Sequence, residues 1–281
     1  MDQQLKEIRE QQKASWDKFS PGWKKWDELM MDFLKPMGDE IIRLLNPKGN
    51  DYILDIAAGT GEPGLTIATM LTGGKVMITD LSEDMLAIAR ENAEKRGIKN
   101  IETKACDVCE LPFDDNTFDA ISCRLGFMFF PDMQMAAKEM ARVLKPGGRI
   151  ATSVWNVAEK NFWVTAAGGT INKNMQIPQP PPGAPGMFRC SQSGLIQGMF
   201  KQAGLKNTSE KEIMGKMKCK TAEIYWNMMT EVAAPFVSAL SQADDVMKGK
   251  IKKEVYQLIN DKYPDGNVMI DSSALVIYGE K

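Results

Sequence analysis

Two acidic residues on either side of a glycine turn constrain the fold of this chain more than any other feature. The apolar segment YILDIAAG at 52–59 carries Asp55 and leads into a turn with Gly59 and Gly61. A second apolar segment, KVMITD at 75–80, ends in Asp80 about twenty residues past the glycines. This spacing is typical of a strand–loop–helix–strand unit that binds a nucleoside-bearing cofactor, in which the second acid accepts the ribose hydroxyls.

The alternation of short apolar runs with helical patterns continues along the chain. Strands are predicted at 52–57, 75–79, 99–104, 118–123 and 148–155, and later at 206–214 and 273–278. Helices are predicted between them, one of them with Ser82 as its N-cap and Gly97 near its end. Such alternation predicts an α/β fold with a doubly wound parallel sheet.

Segments outside this alternation suggest how the sheet is covered. Residues 1–47 are amphipathic and helical, with an interruption predicted at 20–22 (SPG), and the Pro/Gly-rich segment 177–186 is predicted to be a loop, either a substrate lid or a rigid solvent loop. One or two amphipathic helices are predicted over 221–263. The expected organisation is a helical cap at 1–47, a core at 48–214 with a substrate loop at 156–190, a helical lid at 215–267 and a final core strand at 268–281.

Composition excludes several kinds of chemistry. The chain has no histidine, which rules out a Ser-His-Asp triad, a histidine base and a histidine-containing metal site. A net charge of −2 gives no reason to expect binding to nucleic acid or to an anionic membrane.

The five cysteines are scattered, the first residues lack the pattern of a signal peptide, and no apolar run reaches the roughly 18 residues of a membrane span. We therefore expect a reduced cytoplasmic protein that acts on a small molecule, with a homodimer possible. The lone C-x-x-C pair at 106–109 does not predict a metal site, because a second pair is missing.

The glycine turn matches a dinucleotide fingerprint, but its surroundings favour a different cofactor. GTGEPG at 59–64 fits G-x-G-x-x-G, a weak signal when it stands alone. Asp55 lies where a carboxylate would face a pyrophosphate, and it suits a cationic cofactor such as S-adenosylmethionine better. No histidine and no Tyr-x-x-x-Lys pair are available for a dehydrogenase or a reductase.

Further motifs occur in a fixed order along residues 50–155. They are LDIAAGTG at 54–61, TDLSEDML at 79–86, CDV at 106–108, LPFDDNTFD at 111–119 and ARVLKPGGR at 141–149, with FKQAGL at 200–205 beyond them. In these motifs the chain resembles the class I S-adenosylmethionine-dependent methyltransferases, in the branch that includes the ubiquinone and menaquinone C-methyltransferases and many small-molecule methyltransferases. The resemblance implies a seven-stranded, mostly parallel, Rossmann-like sheet with N-terminal helices and an inserted helical lid.

The resemblance also implies roles for individual residues. Asp55, Gly59 and Gly61 would line the methionine part of the cofactor, and Ala57 replaces a glycine that many relatives have. Asp80 would accept the ribose hydroxyls. The other implied cofactor contacts are Leu81 and Met85 beside the adenine, Asp107 at its amino group with Val108 alongside, and Arg124 and Leu125 near the methyl group.

Aromatic residues and two neighbours of theirs, Met128 and Arg189, point to the acceptor pocket, although for each residue alone a structural role is the commoner explanation. The candidates are Trp16, Phe19, Trp23, Phe127, Met128, Trp155, Trp163, Phe188 and Arg189. So many aromatic residues suggest a flat or apolar acceptor. The 20 methionines could fill the core or line an adaptable pocket. Because the chain has no histidine, the acceptor would either bind in an already nucleophilic form or be deprotonated by a side chain of another type. A macromolecule methyltransferase and a relative that binds the cofactor without methylating remain open at this point.

Overall fold

The computed structural model describes residues 3–175, 181 and 183–281. Part of the predicted Pro/Gly loop, residues 177–180 and 182, lies outside the described residues. The described helices and strands, in chain order, are α1 (Gln3–Lys25), α2 (Asp27–Leu45), β1 (Tyr52–Ile56), α3 (Gly64–Ala68), β2 (Lys75–Asp80), α4 (Glu83–Lys95), β3 (Ile101–Ala105), β4 (Phe118–Arg124), α5 (Met133–Val143), β5 (Leu144–Trp155), α6 (Phe162–Met175), α7 (Leu195–Gln202), β6 (Lys206–Lys220), α8 (Ala222–Val232), α9 (Ala234–Leu240), α10 (Asp245–Lys262) and β7 (Val268–Glu280).

The strands form one seven-stranded sheet in the order β3-β2-β1-β4-β5-β7-β6. Strands β1 to β5 are parallel, and β7 runs antiparallel to both β5 and β6. The prediction of a doubly wound, mostly parallel sheet is confirmed. The strand order reverses at β1 and β4, and ligands bind at the carboxyl ends of the strands at such a switch point.

Alternate residues of the strands supply the two hydrophobic cores of the molecule. Leu54 and Ile56 of β1 belong to the larger cluster, whereas Ile53 belongs to the smaller one. This follows from the two-residue period of a strand, which sends neighbouring side chains to opposite faces of the sheet. Because both faces are covered, the inner strands β1 and β2 have mainly apolar, buried sequences, whereas the edge strand β3 (IETKA) is more polar and more exposed.

The N-terminal helix differs from the prediction at 20–22. Helix α1 continues through Ser20, Pro21 and Gly22, and the chain breaks only near Trp26. Proline removes a backbone N–H donor from a helix. Here the Ser20 hydroxyl donates to the carbonyl oxygen of Asp17 at 2.9 Å, and this bond satisfies the acceptor that Pro21 leaves free.

The inserted segment after β6 contains three helices, α8, α9 and α10, where one or two were predicted. Thr221 and Asp244 cap the first and the last of them through their side chains. Strand β6 runs past the predicted end at Met214 and pairs with β7 as far as Val268, so the helices connect two paired strands. The division of the chain into cap, core, lid and final strand stays a prediction. Within the described part of the chain, no helix is both long and apolar enough to cross a membrane.

Candidate functional site

One cavity opens at the carboxyl ends of β1, β2 and β4, where the sheet topology predicts a ligand. Its volume is about 290 Å³, and α1, α2 and the end of α8 cover it. Two groups of residues line it. One group is polar and surrounds Asp80 and Asp107; the other is apolar and consists mainly of tryptophan and methionine. We call these the polar half and the apolar half of the cavity.

Asp55 supports the glycine turn from beneath and does not itself line the cavity, and neither does Gly61. The Asp55 side chain is fully buried, where it accepts the Gly64 N–H at 2.8 Å and the Ser122 hydroxyl at 2.6 Å. A Cβ atom on Gly64 would lie 2.6 Å from Oδ2 of Asp55, so only glycine permits this approach. Burial raises the pKa of Asp55 to about 7, although the two hydrogen bonds oppose the shift. Asp55 and Gly61 thus lie behind the turn in this structure, and their implied contact with a ligand stays a prediction.

Asp80 lines the polar half and is held in place by backbone donors. Its Oδ2 accepts the Gly59 N–H and its Oδ1 the Ser82 N–H, both at 2.9 Å. An ionised carboxylate has about four acceptor sites, so each oxygen keeps one for a ligand hydroxyl. Burial raises the pKa of Asp80, and the backbone hydrogen bonds oppose this shift. The arrangement suits the two neighbouring hydroxyls of a ribose.

Asp107 offers a free acceptor in the same half. Its Oδ1 accepts the Cys109 N–H at 2.8 Å, whereas its buried Oδ2 has no hydrogen-bond partner and lies 3.8 Å from Nη1 of Arg9 on α1. A buried acceptor without a donor is costly unless a ligand fills it. The amino group of an adenine would do so, and apolar neighbours that could flank a base line the cavity beside it, namely Leu81, Met85 and Val108.

The two loops that meet between the halves carry backbone strain. Ala57 after β1 and Leu125 after β4 have φ values of 51° and 63°, in the left-handed region that non-glycine residues rarely adopt. The loops are in close contact, since a Cβ on Gly126 would lie 2.9 Å from Cβ of Ala57. Such conformations persist where the surrounding structure holds them, often at ligand sites. Ala57 thus adopts the conformation for which the resembling family commonly uses glycine.

Four of the predicted aromatic residues line the cavity: Trp16, Trp23, Trp155 and Trp163. Trp155 and Trp163 pack against each other with ring centroids 4.8 Å apart. Phe33, behind them, stacks on Trp155 with a centroid distance of 5.7 Å. These contacts fix the orientation of the two indoles, so this wall of the cavity is rigid.

Five other predicted acceptor residues do not line the cavity in this structure, and their role stays a prediction: Phe19, Phe127, Met128, Phe188 and Arg189. Phe127 and Met128 are fully buried, because the 3₁₀ turn at 127–129 directs them into the core and leaves Phe129 and Phe130 at the cavity. Phe19 is buried on α1, Phe188 packs against the main core, and Arg189 donates to the carbonyl oxygen of Phe130.

Several lining residues were not predicted. Methionine is the most frequent among them, and its abundance in the sequence was the available signal. Other methionines, such as Met37 and Met140, are buried in the core, so both roles considered for this residue occur. The unpredicted lining residues include Gln12, Ser15, Met30, Met31, Leu34, Thr60, Glu62, Thr79, Cys106, Phe129, Phe130, Met187, Met228, Met229 and Val232.

Comparison with known proteins agrees with this geometry. Residues 53–148 match the family model described as a methyltransferase domain. Residues 53–148 are a methyltransferase domain. Its strand order is that of the class I S-adenosylmethionine-dependent methyltransferase fold.

Among curated relatives, the demethylmenaquinone methyltransferase of Bacillus cereus is 36% identical over 112 residues, which are 40% of this chain and 47% of the relative. The match thus spans about half the length of the curated relatives. The structure of the YcgJ protein from Bacillus subtilis has a TM-score of 0.58 at 21% identity, covering 87% of this chain and 97% of that one. A phosphoethanolamine N-methyltransferase of Haemonchus contortus, solved with S-adenosylhomocysteine, has a TM-score of 0.52 at 19% identity, covering 87% of this chain and 52% of that one.

Proposed function

We propose that this protein binds S-adenosylmethionine and transfers its methyl group to a small acceptor with an apolar, aromatic body. The observation that carries the proposal is a single cavity that joins the polar half, with Asp80 and Asp107, to the apolar half, with its tryptophans and methionines. The bound nucleoside in the Haemonchus contortus structure supports the choice of cofactor. S-adenosylmethionine supplies an electrophilic methyl group when bound.

The residues of the chain would bind the cofactor, orient the acceptor toward its methyl group and exclude water from the site. Asp80 would accept the ribose hydroxyls, and Asp107 would accept the adenine amino group through its free Oδ2. The tryptophan wall would hold a flat acceptor against the methyl group in a nearly dry pocket. Alignment of nucleophile and electrophile is a large contribution that such a site can make without a general base.

A general base is hard to find among the described lining residues. Glu62 lines the cavity but accepts the Thr66 N–H at 3.1 Å and pairs with Arg96. Burial raises the pKa of the Cys106 thiol to about 12, so this thiol stays protonated at neutral pH. The chain has no histidine. The acceptor would therefore bind as an ion, or as a neutral nucleophile that needs no base.

Calorimetric titration tests the proposal. We expect S-adenosylmethionine and S-adenosylhomocysteine to bind and NAD not to bind. Asp80→Asn should weaken nucleoside binding about 10- to 100-fold, because the side-chain amide would turn an N–H toward backbone donors and lose charged hydrogen bonds. Asp84→Asn, at an exposed position in the first turn of α4, is the control. Binding of NAD alone, or equal affinities in the two variants, would contradict the proposal.

Methyl transfer itself requires an acceptor screen. Thiols, phenols, enols and amines would be incubated with S-adenosylmethionine and analysed for product by mass spectrometry. Product formation would exclude a relative that binds the cofactor without methylating. A small-molecule acceptor fits the cavity better than a nucleic acid or a protein. Three expectations stay predictions: that the protein does not bind nucleic acid, that it forms a homodimer, and that it is cytoplasmic. All five cysteines are free thiols.

A further inference from the structure

The strand at one end of the sheet, β6, has an edge that no described strand covers. It pairs with β7 on one side and ends the strand order on the other. Along residues 209–218 its register with β7 is regular, and the irregularities lie on either side of this stretch. No described group outside the β6–β7 hairpin is hydrogen-bonded to the backbone of residues 209–218. We call this stretch the open edge of β6.

An edge of this length is a surface on which another strand can pair, because its outward N–H and C=O groups have no partner strand. Proteins commonly protect an edge with a proline, a bulge or a covering segment. Residues 209–218 contain no proline and no bulge. Lysine also protects edges, and this stretch carries Lys211, Lys216 and Lys218. Whether these lysines repel a second strand depends on the charges that the second strand brings opposite them.

One face of the open edge has a charge order that reverses about Met214. Alternate residues of a strand share a face. The face turned away from the core carries, in order, Glu210, Glu212, Met214, Lys216 and Lys218. Met214, at the centre, is 58% exposed. Two acids therefore precede an exposed apolar side chain, and two lysines follow it.

A second copy of the same strand complements this order. In an antiparallel pair centred on Met214, Glu212 lies opposite Lys216 of the second copy, and Glu210 lies opposite Lys218. Opposite charges that face each other directly stabilise a pair of strands, and the two Met214 side chains would shield each other from water. Because the pair has two-fold symmetry, each contact occurs twice.

These charged side chains have partners within the chain but can accept another. Glu212 accepts from Lys160 at 2.7 Å, and Lys216 pairs with Asp271 at 2.8 Å. Exposed pairs of this kind contribute little to stability. A carboxylate has about four acceptor sites and an ammonium group three donors, so each group can also bind a charge on a facing strand.

Helix α2 lies beside the open edge and extends the same surface. The groove between them is lined by three acids and three lysines, namely Asp32, Asp39, Asp271, Lys35, Lys216 and Lys218. Because these charges balance, two copies of the surface can meet without net repulsion. The other side of α2 lines the cavity, where Met31 accepts from Nη2 of Arg124 at 3.2 Å. The helix thus connects this surface with the ligand site.

We propose that two copies of this chain associate through the open edge of β6, in an antiparallel register centred on Met214, so that their sheets become continuous. The occupant of the edge is a second copy because the charge order of the strand complements itself. The proposal assigns a surface to the predicted homodimer and goes beyond the proposed function, since association requires neither the nucleoside nor methyl transfer.

Disulfide cross-linking tests the register. In the proposed pair the two Cβ atoms at position 214 are about 4.5–5.5 Å apart, close to the separation that a disulfide spans. The two residues at position 216 are offset along the strands by about 13 Å, which a disulfide cannot bridge. We expect Met214→Cys to form a covalent dimer on mild oxidation and the matched control Lys216→Cys, on the same face, to remain uncross-linked. The wild type is a second control, because its cysteines are buried except for Cys106, which is half-buried.

Charge reversal tests the complementarity, with the dimer measured by sedimentation equilibrium. Glu212→Lys and Lys216→Glu each place like charges opposite each other, and each should raise the Kd of the dimer about tenfold. The double variant restores opposite charges across the interface and should return the Kd to near the wild-type value. Because positions 212 and 216 of one chain are about 13 Å apart, this recovery would not come from a contact between them within that chain. Lys250→Glu, exposed on α10, is the control for net charge and should have no effect.

Three results would overturn the inference: a wild type that sediments as a monomer at every concentration, equal cross-linking at positions 214 and 216, or a double variant that associates no better than the single ones. The last two would mean that the copies meet through another surface or in another register. Thermal unfolding establishes that each variant is folded, and cross-linking keeps the test decisive if Glu212→Lys, which loses the hydrogen bond from Ser273, is not. Binding of S-adenosylhomocysteine is measured separately, so a monomer would leave the proposed function standing.

Discussion

At the scale of single residues, three aspartates near the cavity differ in their roles because their surroundings differ. Asp80 accepts two backbone N–H groups and still has free acceptor sites toward the cavity. Asp107 keeps one oxygen without a hydrogen bond. Asp55 has no access to the cavity, and burial dominates its ionisation. Proximity to the glycine turn in sequence therefore does not determine which acid can touch a ligand.

The raised pKa of Asp55 predicts a dependence of stability on pH. The folded-state pKa is about 7, against the ordinary value of 3.8, so between these pH values the folded protein binds a proton that the unfolded chain has released. Stability from this group is thus highest at low pH and falls as the pH rises toward 7. Asp55→Asn keeps the volume and both hydrogen bonds if the Ser122 hydroxyl becomes the acceptor.

We therefore expect the stability advantage of Asp55→Asn over the wild type to be larger at pH 8 than at pH 5, by on the order of 2–3 kcal/mol without nucleoside, because about two pH units separate pH 5 from the folded-state pKa. Urea unfolding at the two pH values measures the difference. Asp84→Asn, which is exposed, should show no such change. An equal difference at both pH values would mean that Asp55 is ionised throughout.

At the scale of elements, α1 connects the two ends of the cavity. Its Asp17 accepts the hydroxyl of Ser82, the N-cap of α4, at 2.6 Å. At its other end Trp26 donates to Glu231 of α8 at 2.9 Å. Trp23, which lies on α1 between these contacts, lines the cavity. The docking of α1 therefore determines how completely a ligand is covered.

The contact between α1 and α8 depends on a glycine. A Cβ atom on Gly22 would lie 2.1 Å from the carbonyl oxygen of Glu231, which requires the helices to separate. We expect Gly22→Ala to weaken S-adenosylhomocysteine binding and to cost about 1–3 kcal/mol of stability, as overpacking does. Gly249→Ala is the matched control, because Gly249 is exposed on α10 with open space around its Cβ position and should be neutral or stabilising.

Calorimetry and urea unfolding measure both effects of Gly22→Ala. Cleavage of α1 by a protease should also become faster in this variant than in Gly249→Ala. If the two variants behave alike, α1 adjusts to the added methyl group and the close approach at Gly22 is not needed for binding.

At the scale of the whole molecule, the cavity draws residues from both ends of the chain, from α1 to α8. A ligand that contacts so many elements should stabilise the fold as a unit. At 100 times its dissociation constant, a ligand that binds only the folded state adds about 2.7 kcal/mol. For a chain of this size, the expected rise in Tm with S-adenosylhomocysteine is about 5 °C.

Differential scanning calorimetry with S-adenosylhomocysteine measures this shift. NAD should produce none, and Asp80→Asn should reduce the shift at the same nucleoside concentration. A rise in Tm with NAD of the same size would contradict the assignment of the cofactor. An unchanged shift in Asp80→Asn would remove Asp80 from the ribose-binding position.

Much of the fold could be predicted from the sequence, because strand and helix periods and the glycine turn are local patterns. The first five strands, the capping role of Ser82 and the placing of Asp80 and Asp107 at strand ends all follow from short stretches of chain. The resemblance to methyltransferases depended on the same local motifs. The sequence by itself thus determined the α/β class, the methyltransferase domain and the polar half of the cavity.

Other features were decided only by tertiary structure, because they depend on contacts between distant segments. The turn at 127–129 places Phe127 and Met128 in the core, and packing of α1 on α8 accommodates Pro21 and Gly22 within a helix. Whether a methionine fills the core or lines the cavity depends on which face of its helix meets the sheet. The surroundings of Arg124 are likewise decided by tertiary structure, because Met31 and the acids around the guanidinium come from segments far apart in the chain, and no local pattern encodes that meeting.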